Sequence, residues 1–302
     1  MSLVVVGSVA IDSIKTPHGE VHDALGGSAV HFVLASRFFA PTRLVGVVGG
    51  DFPDKYRQLL SDRGVDLAGL ETVANGESFR WSGEYFDDMN QRETLSVDLN
   101  VFESFQPKLP EDYRDASFVF LANGAPSTQA SVLDQMSGKP FVMADTMDLW
   151  IRIAHGDLEE LLRRIDGLVL NDQEAFLLSD CRNLVQAGRK IVDRYDLAIL
   201  VIKKGEHGCL IFRGGEEINL PALPLGDVVD PTGAGDSFAG GLMGHLAREN
   251  RTDVETFKRA VAWGTVQASF CCEGFGVDRV ARLEWAESEK RYRRYQSMLQ
   301  IG

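Results

Sequence analysis

Two aspartates enclose a turn of small residues, Asp230-Pro231-Thr232-Gly233-Ala234-Gly235-Asp236. The stretch that follows, Ser237-Phe238-Ala239-Gly240-Gly241, opens a helical pattern whose apolar face repeats at Phe238, Leu242 and Leu246. Val228-Val229 ahead of the turn is too short to count as a strand. A glycine-rich turn that ends at a helix start gathers free amides, and with the helix dipole it makes a concave anion site. Ala and Gly in the first turns leave room for a ligand or another backbone. Asp236 stands at the mouth of that site. A carboxylate beside backbone amides is expected to stay ionised, and it could then accept a proton from a substrate hydroxyl. The turn composition alone leaves a second reading open, a flexible turn with Asp236 as helix cap.

Other residues could serve such chemistry, each with a plainer structural role beside it. Asp12 follows the apolar run Leu3–Val6 and could be a turn residue, or a carboxylate accepting from two neighbouring hydroxyls. Gly26-Gly27 precedes a helix, as a simple turn or as backbone a ligand can approach. Asn171-Asp172-Gln173-Glu174 has the spacing of a capping box. Lys203-Lys204-Gly205-Glu206-His207-Gly208 reads as a hairpin turn, and a lysine at a strand end can also meet a nucleotide phosphate.

These residues need a scaffold, and the apolar pattern supplies one. Strands are expected at 3–6, 44–48, 118–121, 141–144, 168–170 and 197–202. Helices are expected at 28–39, 54–62, 127–136, 158–164, 172–178 and 184–195. Their alternation argues for a mainly parallel sheet covered on both faces, with right-handed crossovers. Two helices close the chain. One opens on a capping box at Thr252-Asp253-Val254-Glu255, and one over 284–300 pairs Glu287 with Arg291 and Glu289 with Arg293. Residues 77–105 break the alternation: Phe79, Trp81, Tyr85 and Phe86 lie among polar residues in a hairpin pattern, so an antiparallel flap is expected.

Length and composition bound the function. A chain of 302 residues, 44% apolar and 25% charged, suffices for one large α/β domain with a buried core. A net charge of -13 argues against a nucleic-acid partner, but not against ATP, because amides, a few lysines and Mg²⁺ supply local positive potential. Cys181, Cys209, Cys271 and Cys272 form no C-x-x-C pair, so reduced thiols and a cytoplasmic setting are expected. The first residues read as a strand rather than a signal peptide, and no run is long and apolar enough for a membrane span.

Asp-x-x-Gly-Ala-Gly-Asp running into a small-residue helix resembles the signature of the ribokinase-like (PfkB) carbohydrate kinase family, and the resemblance spans nearly the whole chain. It implies one kinase domain over 1–302, with a mainly parallel sheet and a small antiparallel β lid from segments 12–25 and 77–105. It implies Asp236 as catalytic base and Gly233, Ala234 and Gly235 as the anion hole. Asp12, with the Gly26-Gly27 backbone, would hold substrate hydroxyls. His31 replaces an asparagine common in the family, and is either a substrate contact of another kind or a core histidine. Asn171 and Glu174 match an Asn-x-x-Glu motif that places Mg²⁺ through water. Asp145 lies in a partial match that lacks the family's Asn and Arg. Lys203, Gly205, Gly208, Thr232 and Gly276 would border ATP, and Asp230 with the 269–276 loop matches positions that hold K⁺ in many members.

Taken together these features imply an ATP-dependent, Mg²⁺-requiring kinase acting on a primary hydroxyl of a sugar or nucleoside. The lid aromatics could stack on a base or serve as the lid's own apolar face, and the lid could pair two copies as a homodimer. The alternative from a different class is a non-catalytic sugar- or nucleotide-binding regulator on the same fold.

Overall fold

A computed structural model describes residues 2–300. Its elements run β1 (Leu3–Val6), β2 (Ala10–Thr16), β3 (Gly19–Gly26), α1 (Ser28–Ser36), β4 (Thr42–Gly49), α2 (Asp54–Asp62), β5 (Asp66–Val73), β6 (Phe79–Tyr85) and β7 (Arg92–Asp98). They continue with β8 (Phe118–Leu121), α3 (Pro126–Leu133), β9 (Phe141–Asp145), α4 (Asp148–Ile153), α5 (His155–Leu162), β10 (Gly167–Asn171), α6 (Asp172–Ser179) and α7 (Leu184–Tyr195). The last are β11 (Ile199–Lys203), β12 (Cys209–Arg213), β13 (Glu216–Leu220), α8 (Ala234–Glu249), α9 (Val254–Cys271), α10 (Asp278–Arg282) and α11 (Trp285–Leu299).

Leu3-Val4-Val5-Val6 is buried on both faces, as an unbroken apolar run in a parallel sheet should be. Leu3 and Val5 enter the core beneath α1, α8 and α9, while Val4 and Val6 enter the core on the side of α5, α6 and α7. The nine-stranded sheet has the order β13-β12-β11-β10-β9-β8-β1-β4-β5, parallel except for the β11–β12 and β12–β13 hairpins. A separate four-stranded sheet, β3-β2-β6-β7, forms the lid. It consists of two antiparallel hairpins joined by a parallel pairing of β2 with β6.

Several expectations need correction. Asp253, not Thr252, caps α9, through a bond from the Thr256 amide to its Oδ1 at 3.1 Å. Glu287 does not pair with Arg291: Arg279 bonds Glu287, and Arg291 reaches Glu273 at 2.7 Å. Arg293 does pair with Glu289, at 3.0 Å. α1 and α3 end short of residues 39 and 136, α5 starts before 158, and β5 and β13 at the two sheet edges were not anticipated.

α8 carries the signature turn and is wedged against two neighbours. A Cβ on Gly240 would stand 2.3 Å from the Phe32 carbonyl of α1, and one on Gly241 2.9 Å from the Trp263 carbonyl of α9. Glycine therefore sets the helix-to-helix distance. Gly240→Ala should destabilise the protein by about 1–3 kcal/mol through overpacking, against a helix-propensity gain of about 1 kcal/mol. Urea titration reads the net loss; a variant more stable than the parent would contradict the close contact.

Candidate active site

The parallel strands deliver their chemistry at their C-terminal ends, where open α/β sheets bind ligands. Asp145 ends β9, Asn171 ends β10 and Lys203 ends β11, with Asn171 and Lys203 in register. The turn into α8 lies over these ends. Its Gly233 is the N-cap, with φ 75, so Asp236 is the helix's third residue and not its cap. The Ala234 amide is spent on the Pro231 carbonyl at 3.1 Å. The Gly235 amide, in the first turn, has no intrahelical acceptor and is free for an anion. A Cβ on Gly235 would lie 2.6 Å from Lys203 Nζ, so the ammonium sits against this turn. His31 fills the space beneath it. Its ring would collide with a Cβ on Gly233 at 2.2 Å, and its Nδ1 is 3.6 Å from Cys271 Sγ. Burial pushes its pKa down to about 4, so this is a neutral histidine packed under the turn.

Carboxylates crowd the same place. Burial raises the pKa of Asp236, while the charges of Lys203 and Arg92 and its own backbone amide pull it down. Asp145, buried and with Oδ1 unpartnered, is driven well above the usual carboxylate range by burial and by the charge of Asp236. Glu174 closes a capping box with Asn171: its carboxylate accepts the Asn171 amide at 2.7 Å, and Asn171 Oδ1 accepts the Glu174 amide at 2.8 Å. Burial raises its pKa while Lys203 pulls it down.

Asp12, in β2, is buried with Oδ1 unpartnered. A Cβ on Gly26 would stand 1.8 Å from its Oδ2, and Gly27 at φ 99 passes close to the Ser8 carbonyl, so both glycines are dictated by this packing. Burial, then the charge of Asp230, lift Asp12 to about 7; the Gly27 amide opposes and Asp236 adds a smaller push. Asp230 is a bridge. Its Oδ1 accepts the Thr232 amide and its Oδ2 the Gly276 amide, both at 2.8 Å. A K⁺ ion beside it would therefore rest mainly on backbone carbonyls. Among the described residues, no three acidic, His or Cys side chains converge as a direct metal cage. The donors present, Glu174 and Asp145 Oδ1, fit a hydrated Mg²⁺ held through water.

A cavity of about 480 Å³ adjoins this cluster, lined by Lys203, Gly205, Gly208, Ala234 and Gly235 at one end and by Leu223, Leu225, Phe238 and Cys272 among its apolar walls. Thr232 and Gly276 do not line it. Thr232 Oγ1 meets the hydroxyl of lid residue Tyr85 at 3.2 Å, and Gly276 lies beside β3.

A family model described as pfkB family carbohydrate kinase matches residues 1–278. The chain belongs to the pfkB family of carbohydrate kinases. This kinase is 29% identical over 255 residues to the cytidine kinase of Thermococcus kodakarensis, covering 82% of this chain and 89% of that protein. Its fold matches the Burkholderia thailandensis nucleoside kinase in complex with inosine at TM-score 0.82 and 19% identity, over 98% of this chain and 99% of that one. It also matches the aminoimidazole riboside kinase of Salmonella enterica, solved with aminoimidazole riboside and an ATP analogue, at TM-score 0.75 and 20% identity, over 98% and 99% of the two chains. The ribokinase-like fold is thereby shown, and the enzyme is a phosphotransferase with an alcohol acceptor.

Sequence reasoning gave Asp145 little weight and did not single out Arg92, whose charge acts on Asp236 and Glu174. Arg92 sits between polar neighbours on an exposed strand, and nothing local distinguishes it. Asp145 is marked only by position, at the end of a buried strand.

The raised Asp12 carboxyl carries a prediction. Folded, it binds a proton that the unfolded chain releases near 3.8, so its contribution to stability is complete below that pH and lost as pH rises through about 7. If Asp12 accepts substrate hydroxyls, as the family resemblance implies, it does so only when ionised. Acceptor kcat/KM should therefore rise with pH through about 7, and Asp12→Asn should weaken the acceptor while raising the melting temperature above that pH. A flat profile with unchanged melting would contradict this assignment.

Proposed function

We propose that this kinase transfers the γ-phosphoryl group of ATP to a primary hydroxyl of a nucleoside, with Asp236 as general base. The observation that carries the reading is that Asp12 and Trp81 are register partners in the lid sheet, while the charge of Asp236 reaches Asp12. Diol, base and reacting hydroxyl thus have receptors around one cleft. Of the four lid aromatics, Tyr85 is engaged with Thr232, Phe86 is 46% exposed, and Phe79 stacks on Phe102 at 5.5 Å. Trp81 remains half-buried beside Asp12, with its ring over Gly83. An aromatic face beside a diol acceptor suits a base attached to a ribose. The names of the cytidine and nucleoside kinases it resembles agree with this.

In this reading Asp12 accepts the two secondary hydroxyls, which orients the primary hydroxyl toward Asp236. Loss of either hydroxyl would leave a buried acceptor unpaired, so deoxy analogues should bind poorly. ATP occupies the cavity with its phosphates toward Lys203 and Gly235. Mg²⁺, held through water near Glu174 and Asn171, would offset charge on the phosphate oxygens. Asp236 takes the hydroxyl proton as the oxygen attacks phosphorus, and the amides of the turn face the equatorial oxygens. The lid excludes water from the transfer. β7 has a free edge, with Leu95 56% and Val97 49% exposed, and a second copy of the chain pairing through the lid would cover it.

ADP release from Mg·ATP, measured across nucleosides, free sugars and sugar phosphates with and without K⁺, tests the reading. A response to nucleosides with little from free sugars is expected; a sugar-only response would return Trp81 to a packing role. Silence across the panel with ATP binding intact would favour a binding regulator. Asp236→Asn should retain ATP binding and lose about 10²–10⁴ in kcat, as for a lost general base. Near-parental turnover in that variant would remove Asp236 from the mechanism.

A further inference from the structure

The cavity beside the signature turn has two unlike ends. Lys203, Gly205 and Gly235 form one, where a phosphate chain would meet an ammonium and a free amide. Asn90 and Glu206 line the cavity beside Gly205 and are bonded to each other, Nδ2 to Oε2 at 2.6 Å. What meets these groups, phosphates and a sugar, is common to every nucleoside triphosphate. The other end is where the base would lie. Phe238, one turn further along α8 than Gly235, walls it together with Leu223, Leu225, Val228 and Ala268.

The polar groups at that end already have partners. Thr265 Oγ1 donates to the Val261 carbonyl at 3.1 Å, inside α9. Ser269 Oγ donates to the Val266 carbonyl at 2.7 Å and accepts from the Arg291 guanidinium at 3.1 Å. The Cys272 carbonyl accepts the Val229 amide at 2.8 Å. The wall strip Pro221-Ala222-Leu223-Pro224 carries two prolines, which have no amide to offer, and the Pro221 carbonyl accepts the Tyr295 hydroxyl. The thiols of Cys209 and Cys272 also line the cavity. Burial pushes both up to about 12, so they are neutral and weak in either hydrogen-bonding role. Adenine and hypoxanthine share an outline but present opposite edges. Adenine has a 6-amino donor and an N1 acceptor, and hypoxanthine a 6-oxo acceptor and an N1–H donor. A protein separates them with an uncommitted polar group at that edge, because the wrong base leaves it buried and unpaired. An apolar slot binds both by area and does not separate them.

We propose that the phosphate donor is recognised by its phosphates and sugar and not by the edge of its base, so that 6-oxopurine nucleoside triphosphates such as ITP serve as donors alongside ATP. The inference rests on the phosphotransfer reading above. The chemistry is the same with either donor. The acceptor oxygen bonds to the γ-phosphorus, the bond from that phosphorus to the β-phosphate oxygen breaks, and the hydroxyl proton goes to Asp236. ADP or IDP leaves with the bridging oxygen.

Calorimetric binding of Mg·ADP and Mg·IDP decides it without turnover. Their Kd values should agree within about tenfold, the effect of one net hydrogen bond. Steady-state kinetics with the acceptor found in the panel above should give kcat/KM values for Mg·ITP and Mg·ATP within the same about tenfold range. Thr265→Val keeps the shape of the wall and removes its hydroxyl, so the ratio of the two Kd values should not move. A preference for the adenine nucleotide beyond about tenfold in either measurement would show a hydrogen bond to the base edge and overturn the proposal. A ratio that shifts in Thr265→Val would overturn it as well, and so would a parent protein that binds neither diphosphate. If both diphosphates bound alike but neither triphosphate phosphorylated any acceptor, the proposed function would fall and the indifference of the slot to the base edge would stand.

Discussion

Too many carboxylates share too little water in this structure. Asp12, Asp145, Glu174, Asp230 and Asp236 all lie at one end of the sheet, and burial raises the pKa of every one. Such crowding is tolerated only where each group has a specific offset. Asp230 is offset by two amide bonds and Glu174 by its capping box, while the Lys203 charge only partly opposes the burial of Asp145. Asp236 is left facing Lys203, the lid's Arg92 and a free helix-start amide.

The architecture follows from keeping that cluster tight. Parallel pairing puts Asn171 and Lys203 side by side, while Asp145 pairs with Val169, two residues before Asn171 on the neighbouring strand. The signature turn can descend onto them because Gly233 adopts a positive φ over the His31 ring and Gly235 leaves room for the Lys203 ammonium. Asp12 is brought in by the lid sheet, which is anchored to the turn through Tyr85 and Thr232 and through Thr16, whose hydroxyl bonds the Val229 carbonyl at 2.9 Å. Lid sheet and signature turn are thus tied together at two points.

Much of this was legible in the sequence because it is local. Buried apolar runs announced most of the parallel strands, and the spacing of Asp230, Gly233, Gly235 and Asp236 announced the turn. The Asn171–Glu174 spacing announced the capping box that opens α6. The misses are non-local. β5 and β13 are edge strands with half-polar patterns that resemble loops. Glu287 and Arg291 have the spacing for a helical pair, yet each found a partner on a neighbouring segment instead. Thr232 Oγ1 meets the lid's Tyr85 hydroxyl and the Gly276 amide bonds Asp230, contacts that depend on segments far away in sequence. Arg92 comes opposite Tyr85 only through the pairing of β6 with β7, which no short window of sequence contains.

The central claim is geometric: Asp12 holds the secondary hydroxyls of a nucleoside, so the oxygen presented to Asp236 is the primary one. Proton-coupled phosphorus NMR of the product formed from Mg·ATP and a nucleoside tests it most directly. The account predicts an ester phosphorus split into a triplet by the two protons of a methylene group. A doublet, from phosphate on a secondary hydroxyl, would contradict it.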